Sequence, residues 1–210
     1  MNKSPQPPLP KGEQESLSVL KSPPLEKGGW GDFSTILITG PARSGKSEWA
    51  ERLAHESQRQ VIYCATALEN DDDAEWTARI AAHRTRRPAT WATVCAPIEL
   101  SATLAAYQDA QYCLLVDSLG TWTANLIEWN DADWQLQITQ VCEQLKTHPA
   151  LIILVAEETG WGVIPAYPMG RLFRDRLGGL IRHLGGQCAA TYLVTGGYAL
   201  ELNRLGVRIE

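Results

Sequence analysis

The sequence lacks any apolar run long enough to cross a membrane, and prolines stand near its start where a signal peptide needs an apolar stretch. It also lacks a CxxC pair and any histidine at zinc-finger spacing. These absences exclude a membrane span and a zinc finger. Because the cysteines are odd in number and widely spread, we expect buried free thiols in a cytoplasmic protein; they are Cys64, Cys95, Cys113, Cys142 and Cys188.

The chain has no excess of basic residues, since its formal net charge is −5 at pH 7 and its pI is about 5.4. This balance predicts no nucleic-acid partner and favours small-molecule substrates. With 210 residues, of which 44% are hydrophobic, the chain is long enough for one sizeable α/β domain.

Proline is concentrated at one end of the chain. Six of the 12 prolines precede residue 32, and the segment 7–12 is nearly repeated at 23–28. Such a composition lacks the apolar residues for a core, so we expect a disordered or polyproline-like extension over residues 1–33. A binding motif for a proline-recognising partner is the alternative. Residues 34–210 then form the folded domain.

A phosphate-binding loop occupies residues 40–47, between an apolar strand pattern and an amphipathic helix pattern. Its glycines allow a tight turn whose backbone N–H groups point at phosphate oxygens, and the helix adds its dipole. Lys46 can reach the β- and γ-phosphates, and Ser47 can ligate Mg²⁺. The predicted nucleotide-binding residues are Gly40, Pro41, Ala42, Arg43, Ser44, Gly45, Lys46 and Ser47.

From residue 35 onward, β-branched and apolar runs alternate with helical patterns, which is typical of a parallel sheet covered by helices. The patterns predict strands over 35–39, 60–66, 90–95, 112–117, 151–156 and 191–195, with a terminal antiparallel strand over 198–203. They predict helices over 46–57, 74–84, 97–107, 132–147 and 169–184. We therefore expect a single P-loop α/β domain with a mostly parallel sheet.

Three further segments carry groups that could take part in chemistry. The buried strand that ends at Asp117 resembles a Walker B strand, which predicts that this carboxylate faces Mg²⁺; an ordinary turn residue is the alternative. His83 either completes an apolar helix face or stands beside a polyphosphate held by the arginines that follow it. The loop 156–165 follows a buried strand, where α/β folds place their sites, and Arg171 and Arg174 with Asp175 form either a charge pair or a substrate clamp.

The ordered motifs resemble one family closely. They are GPARSGKS at 40–47, YCATA at 63–67, RIAAHR at 79–84, RPATW at 87–91, GWGVIP at 160–165 and FRD at 173–175. Together they are similar, from about residue 36 to 197, to the bifunctional adenosylcobinamide kinase / adenosylcobinamide-phosphate guanylyltransferase family of cobalamin biosynthesis.

The resemblance implies two reactions, in which ATP or GTP phosphorylates adenosylcobinamide and GTP then gives its GMP moiety to adenosylcobinamide phosphate. It implies that His83 carries the GMP covalently, with Lys46 assisting, and that the sheet is RecA-like and the assembly a homotrimer. It also implies nucleotide contacts from Ala65, Thr66, Ala67, Arg84, Thr85, Arg86, Arg87 and Asp117.

At three places this chain departs from the pattern of many family members. Cys95 stands where many have Glu, Glu157-Glu158 where many have Asn-Glu, and Ile181-Arg182 where many have Asn-Gln. A kinase that has lost guanylyl transfer is therefore one alternative. A RecA-like regulatory ATPase with a protein or DNA partner is another.

Overall fold

The computed structural model describes residues 35–68, 78, 80, 81 and 84–209. The predicted Pro-rich extension, residues 1–33, lies outside the described residues. Within the described residues, seven strands form one sheet: β1 (Thr35–Gly40), β2 (Gln60–Ala65), β3 (Ala92–Cys95), β4 (Tyr112–Asp117), β5 (Leu151–Glu157), β6 (Ala190–Thr195) and β7 (Tyr198–Glu201).

The strand order is β3-β2-β4-β5-β1-β6-β7, and every pair is parallel except β6 with β7. The central strands β1, β4 and β5 read as almost continuous apolar runs because helices cover both faces of the sheet. The expected mostly parallel α/β architecture of the P-loop type is confirmed.

The described residues contain six helices that pack on or beside the sheet. They are α1 (Lys46–Glu56), α2 (Leu100–Ala105), α3 (Leu119–Asn125), α4 (Asp131–Lys146), α5 (Pro168–Gly185) and α6 (Leu202–Leu205). Of the predicted helix over 74–84, the described residues 78, 80, 81 and 84 are helical.

Two cores lie on opposite faces of the sheet, because successive strand residues point to opposite sides. Helix α1 covers one face, where Leu53 packs with Ile38, Leu115 and Ile153. The larger core lies on the other face, where Trp122 of α3 and Leu177 of α5 pack with alternate strand residues such as Leu114. Helix α3 thus lies against the sheet at the carboxyl end of β4, directly after Asp117.

Helix α3 was not predicted from the sequence. Its contacts also make α2 shorter than the helix predicted over 97–107. The Trp122 indole N–H donates to the Ile98 carbonyl (2.9 Å), and the Asn125 amide donates to the Pro97 carbonyl (2.9 Å). Because these carbonyls bond to α3 side chains, α2 begins at Leu100, whereas the sequence pattern predicted a start at Pro97.

Other predictions also differ from the structure. The strand predicted over 90–95 begins at Ala92, because the Trp91 N–H donates to the Pro88 carbonyl (3.0 Å) and closes a turn. The antiparallel strand predicted over 198–203 ends at Glu201, because Asn203 accepts the Thr191 N–H through its side chain (2.6 Å) and belongs to α6. Cys95 is exposed rather than buried, since β3 is an edge strand; the other four cysteines are buried free thiols.

Arg176 of α5 fixes the far end of α3. Its buried guanidinium donates to the carbonyls of Leu126 (3.2 Å), Ile127 (3.1 Å) and Trp129 (2.7 Å), which follow the last turn of α3. A cation at a helix C-terminus compensates carbonyls that lack intrahelical partners. This contact holds α3 in place beside the sheet edge.

Among the helices of the described part of the chain, none combines the length and apolar character that a membrane crossing requires.

Candidate functional site

The phosphate-binding loop connects β1 to α1, as the sequence predicts. Gly40 has no room for a side chain, since a Cβ atom there would overlap the Val194 carbonyl of β6 and the Ser44 hydroxyl. Gly45 has φ +91°, a left-handed conformation that favours glycine, and it immediately precedes α1. Both glycines are therefore required by the backbone path.

Lys46 begins α1 and is only 5% exposed, although it carries a charge. A lysine this buried needs compensating negative groups. Lys46 and Ser47 both line a cleft at the carboxyl edge of the sheet, over the N-terminus of α1. A helix N-terminus with a buried cation beside it is suited to bind an anion.

The walls of the cleft come from the carboxyl ends of adjacent strands. Strand β2 and the residues after it contribute Tyr63, Ala65 and Ala67, strand β4 contributes Asp117, and strand β5 contributes Glu157. The remaining lining residues are Ile80, Arg87, Ser118 and Thr121. This is the edge at which open α/β sheets bind ligands.

Asp117 is oriented by a neighbour on β2. The Tyr63 hydroxyl donates a hydrogen bond to Asp117 Oδ2 (3.0 Å), and the Arg87 guanidinium lies 3.5 Å from the centre of the Tyr63 ring. Burial and the nearby Asp117 charge raise the pKa of Tyr63 far above its usual value. The phenol therefore stays protonated and acts as a donor.

Glu157 is a second carboxylate in the cleft. Burial is the main cause that raises its pKa and the nearby Asp117 charge adds to it, whereas the Lys46 charge lowers it. Its Oε2 atom is buried and has no hydrogen-bond partner within the described residues. A Cβ atom at Gly120 would overlap the Glu157 carboxylate, so a larger residue at this position of α3 would displace that carboxylate.

Thr66 is a buried residue beside the cleft that connects the end of β2 to α3. The residue is fully buried, and its hydroxyl donates to the Ser118 carbonyl (2.8 Å) and accepts from the Ser118 N–H (2.8 Å). Asn125 of α3 donates to the Thr66 carbonyl (2.8 Å). Thr66 therefore joins β2 to α3, and its neighbours Ala65 and Ala67 line the cleft.

The arginines after position 83 occupy different places. Arg87 lines the cleft, whereas Arg86 turns to α1 and pairs with Glu48 (2.9 Å) and Glu51 (3.1 Å). Burial raises the pKa of Glu51, and the Arg86 charge lowers it. Arg84 is exposed, and so is Thr85, whose hydroxyl donates to the Ala81 carbonyl (3.0 Å). His83 lies outside the described residues.

The loop after β5 is tied to the phosphate-binding loop. The Glu158 N–H donates to the Gly40 carbonyl (2.9 Å), and the Glu158 carboxylate accepts from the Thr39 hydroxyl (2.8 Å). Of the two alternatives for Arg174 and Asp175, the charge pair is observed, at 3.2 Å. Arg171 instead donates to the carbonyls of the preceding loop.

The structure brings together Lys46, Ser47, Ala65, Ala67, Arg87 and Asp117 of the predicted site. It adds four lining residues that the predicted site did not include, Tyr63, Ile80, Ser118 and Thr121. The loop containing Glu157 was predicted as a site, but the pattern did not indicate which carboxylate faces the cleft. The available signal was position, since Ser118 and Glu157 lie at or just after the carboxyl end of a parallel strand.

No cluster of three or more metal-binding side chains occurs within the described ranges. Side-chain oxygen donors in the cleft come from two carboxylates, Asp117 and Glu157, and from hydroxyl groups that include Ser47. Oxygen donors in small number suit Mg²⁺, which keeps several waters and takes its other ligands from phosphates.

A family model described as cobinamide kinase / cobinamide phosphate guanyltransferase matches residues 36–202. The chain is 42% identical over 169 residues to the bifunctional adenosylcobalamin biosynthesis protein CobP of Pseudomonas aeruginosa, covering 79% of this chain and 95% of that protein. It is 33% identical over 181 residues to the bifunctional adenosylcobalamin biosynthesis protein CobU of Escherichia coli K12, covering 80% and 98%.

Among solved structures, the chain resembles the PH0250 protein of Pyrococcus horikoshii OT3. The TM-score is 0.53 at 7% identity, and the match covers 84% of this chain and 91% of the other. At this identity the likeness concerns the fold alone.

Proposed function

The chain belongs to the cobinamide kinase / cobinamide phosphate guanyltransferase family, and from this membership we propose that it catalyses both reactions on adenosylcobinamide. ATP or GTP first phosphorylates the acceptor, and GTP then transfers GMP to the product to give adenosylcobinamide-GDP. One observation carries the proposal: the matched residues 36–202 include every element that builds the cleft over the phosphate-binding loop.

In the kinase step, the hydroxyl oxygen of the acceptor attacks the γ-phosphorus. A new P–O bond forms while the bond to the β–γ bridging oxygen breaks, so that the nucleoside diphosphate leaves and the hydroxyl proton is released. Lys46 is buried at the start of α1 and lines the cleft, so its charge can stabilise the β- and γ-phosphate oxygens. Arg87 lines the same cleft and adds a second positive charge.

In the transfer step, a neutral imidazole nitrogen of His83 attacks the α-phosphorus of GTP. A P–N bond forms and pyrophosphate leaves; an oxygen of the acceptor phosphate then attacks the same phosphorus and the P–N bond breaks. Family resemblance supports this role. So does position in the chain, because Ile80 and Arg87 on either side of His83 both line the cleft.

Ser47 and Asp117 fit Mg²⁺ as oxygen donors that line the same cleft, and Tyr63 fixes the orientation of Asp117. When bound, Mg²⁺ supplies positive charge to the polyphosphate and to the leaving group. The other predicted nucleotide contacts, including Arg84, Thr85 and Arg86, remain predictions, as do the homotrimer, the cytoplasmic location and the absence of a nucleic-acid partner.

The proposal is tested by transfer of label from γ-labelled ATP or GTP to cobinamide. Wild-type protein should phosphorylate cobinamide, and Lys46→Ala should lose at least about a hundredfold in turnover, as when one transition-state donor is removed. Lys146→Ala, on α4, is the matched control and should retain activity. Near-normal turnover of Lys46→Ala, or ATP hydrolysis that depends on DNA and ignores cobinamide, would contradict the proposal.

A further inference from the structure

An exposed apolar surface follows β5, on the loop that leads into α5. Val163 is 95% exposed, Tyr167 80%, Ile164 65% and Trp161 62%. We call these four residues the β5–α5 surface. Contiguous exposed apolar residues on a folded protein usually mark a binding surface.

The loop that carries this surface is held by specific contacts. The Arg171 guanidinium donates from Nη1 to the Pro165 carbonyl (3.0 Å) and to the Ala166 carbonyl (2.8 Å). Gly170 leaves room for Pro165, whose side chain would lie 2.8 Å from a Cβ atom at that position. These contacts fix the backbone of the loop and leave its large side chains pointing to solvent.

The loop that carries the β5–α5 surface begins at the wall of the cleft. Glu157 lines the cleft, and the next residue, Glu158, is hydrogen-bonded to Thr39 and Gly40 at the start of the phosphate-binding loop. Trp161 follows four residues after Glu157. The exposed apolar side chains therefore stand on the segment that leaves the cleft beside the phosphate-binding loop.

We infer, on the basis of the proposed function, that the β5–α5 surface binds the corrin ring of cobinamide while its aminopropanol arm reaches into the cleft. The ring is a broad conjugated macrocycle with methyl groups and amide side chains around its edge, so it offers the side chains of Trp161 and Tyr167 a large apolar contact area. Tryptophan and tyrosine are also the side chains that most often dominate binding energy at such surfaces.

Val207 is a matched control residue, located near the end of β1 that is opposite to the cleft. Val207 is 94% exposed, and Arg208 beside it lines a cavity with Thr35, the first residue of β1. Because Thr35 and the phosphate-binding loop lie at opposite ends of β1, Val207 is far from the cleft. Loss of an exposed apolar side chain there should not change acceptor binding.

The test is a titration of the full chain with dicyanocobinamide, with bound corrinoid measured by its absorbance after ultrafiltration. The double variant W161S/Y167S should raise the Kd for cobinamide roughly tenfold or more, while Val207→Ser leaves it unchanged. The Kd for ATP should be the same in all three proteins. At saturating cobinamide the turnover of the double variant should stay within about twofold of wild type, so that KM changes and kcat does not.

Three results would overturn the inference. They are an unchanged Kd in the double variant, absence of cobinamide binding by wild type, and a lower assembly mass of the double variant, which would show that a second copy covers the surface. The proposed function fails separately, if wild type binds cobinamide with a Kd that depends on Trp161 and Tyr167 but transfers no phosphoryl group to it. Thermal unfolding of each variant checks that these surface changes leave the fold intact.

Discussion

The Tyr63 hydroxyl donates a hydrogen bond to Asp117 Oδ2, 3.0 Å away, across the neighbouring parallel strands β2 and β4. The two residues stand at the carboxyl edge of the sheet and line the same cleft as Lys46. The ring of Tyr63 also lies under the Arg87 guanidinium. One tyrosine thus fixes both the carboxylate proposed to hold Mg²⁺ and a cation of the cleft.

Tyr63→Phe should keep the ring under Arg87 and remove the hydrogen bond to Asp117. We expect the Mg²⁺ concentration for half-maximal kinase activity to rise roughly tenfold, as for other residues that orient a metal ligand. The loss in unfolding free energy should be only about 0.5–1.5 kcal/mol. Tyr112→Phe, at the other end of β4, is the control. An unchanged Mg²⁺ dependence would show that Tyr63 does not position Asp117 for the metal.

Gly120→Ala should destabilise the protein, because the added methyl group has no space beside the Glu157 carboxylate. We expect a loss of roughly 1–3 kcal/mol in urea unfolding, the usual cost of overpacking. Gly178→Ala in α5 is the matched control, since nothing lies within 4 Å of a Cβ atom there. That variant should gain up to about 1 kcal/mol, because alanine is the better helix former. Equal behaviour of the two variants would argue against the close packing of α3 on Glu157.

Glu157→Gln should change how stability depends on pH. Burial raises the pKa of Glu157 above the unfolded value, so between the two pKa values the native state binds more protons than the unfolded state. The unfolding free energy of wild type therefore falls as pH rises through this window, and glutamine removes this contribution.

The stability of Glu157→Gln relative to wild type should consequently increase from acidic to neutral pH, measured by urea unfolding without nucleotide. Glu128→Gln, at an exposed position, controls for the loss of one carboxylate. A relative stability that falls with rising pH would mean that Lys46 outweighs the effect of burial.

The parts of the fold that depend on local pattern were predictable. Strand β4 ends at Asp117 as predicted, and the phosphate-binding loop lies between β1 and α1, because a glycine-rich turn between a strand and a helix is specified by neighbouring residues. The helix over 132–147 differs from α4 by one residue at each end, since Asn130 caps it through its side chain.

What the sequence did not indicate depends on residues far apart in the chain. The start of α2 depends on hydrogen bonds from Trp122 and Asn125 of α3. The position of Arg86 depends on Glu48 and Glu51, 38 and 35 residues earlier. Glu157 faces the cleft beside a glycine, Gly120, on another element. Such pairings arise only when the sheet brings the elements together.

The central claim is that one chain phosphorylates cobinamide at the P-loop and carries GMP on His83. The most direct measurement compares wild type and His83→Ala, each incubated with GTP labelled in the α- or the γ-position, on preparations checked for folding. Wild type should acquire acid-labile label from α-labelled GTP and not from γ-labelled GTP. His83→Ala should acquire neither label, form no adenosylcobinamide-GDP, and still phosphorylate adenosylcobinamide. Persistent α-label on His83→Ala, or a parallel loss of both activities in a folded variant, would contradict the account.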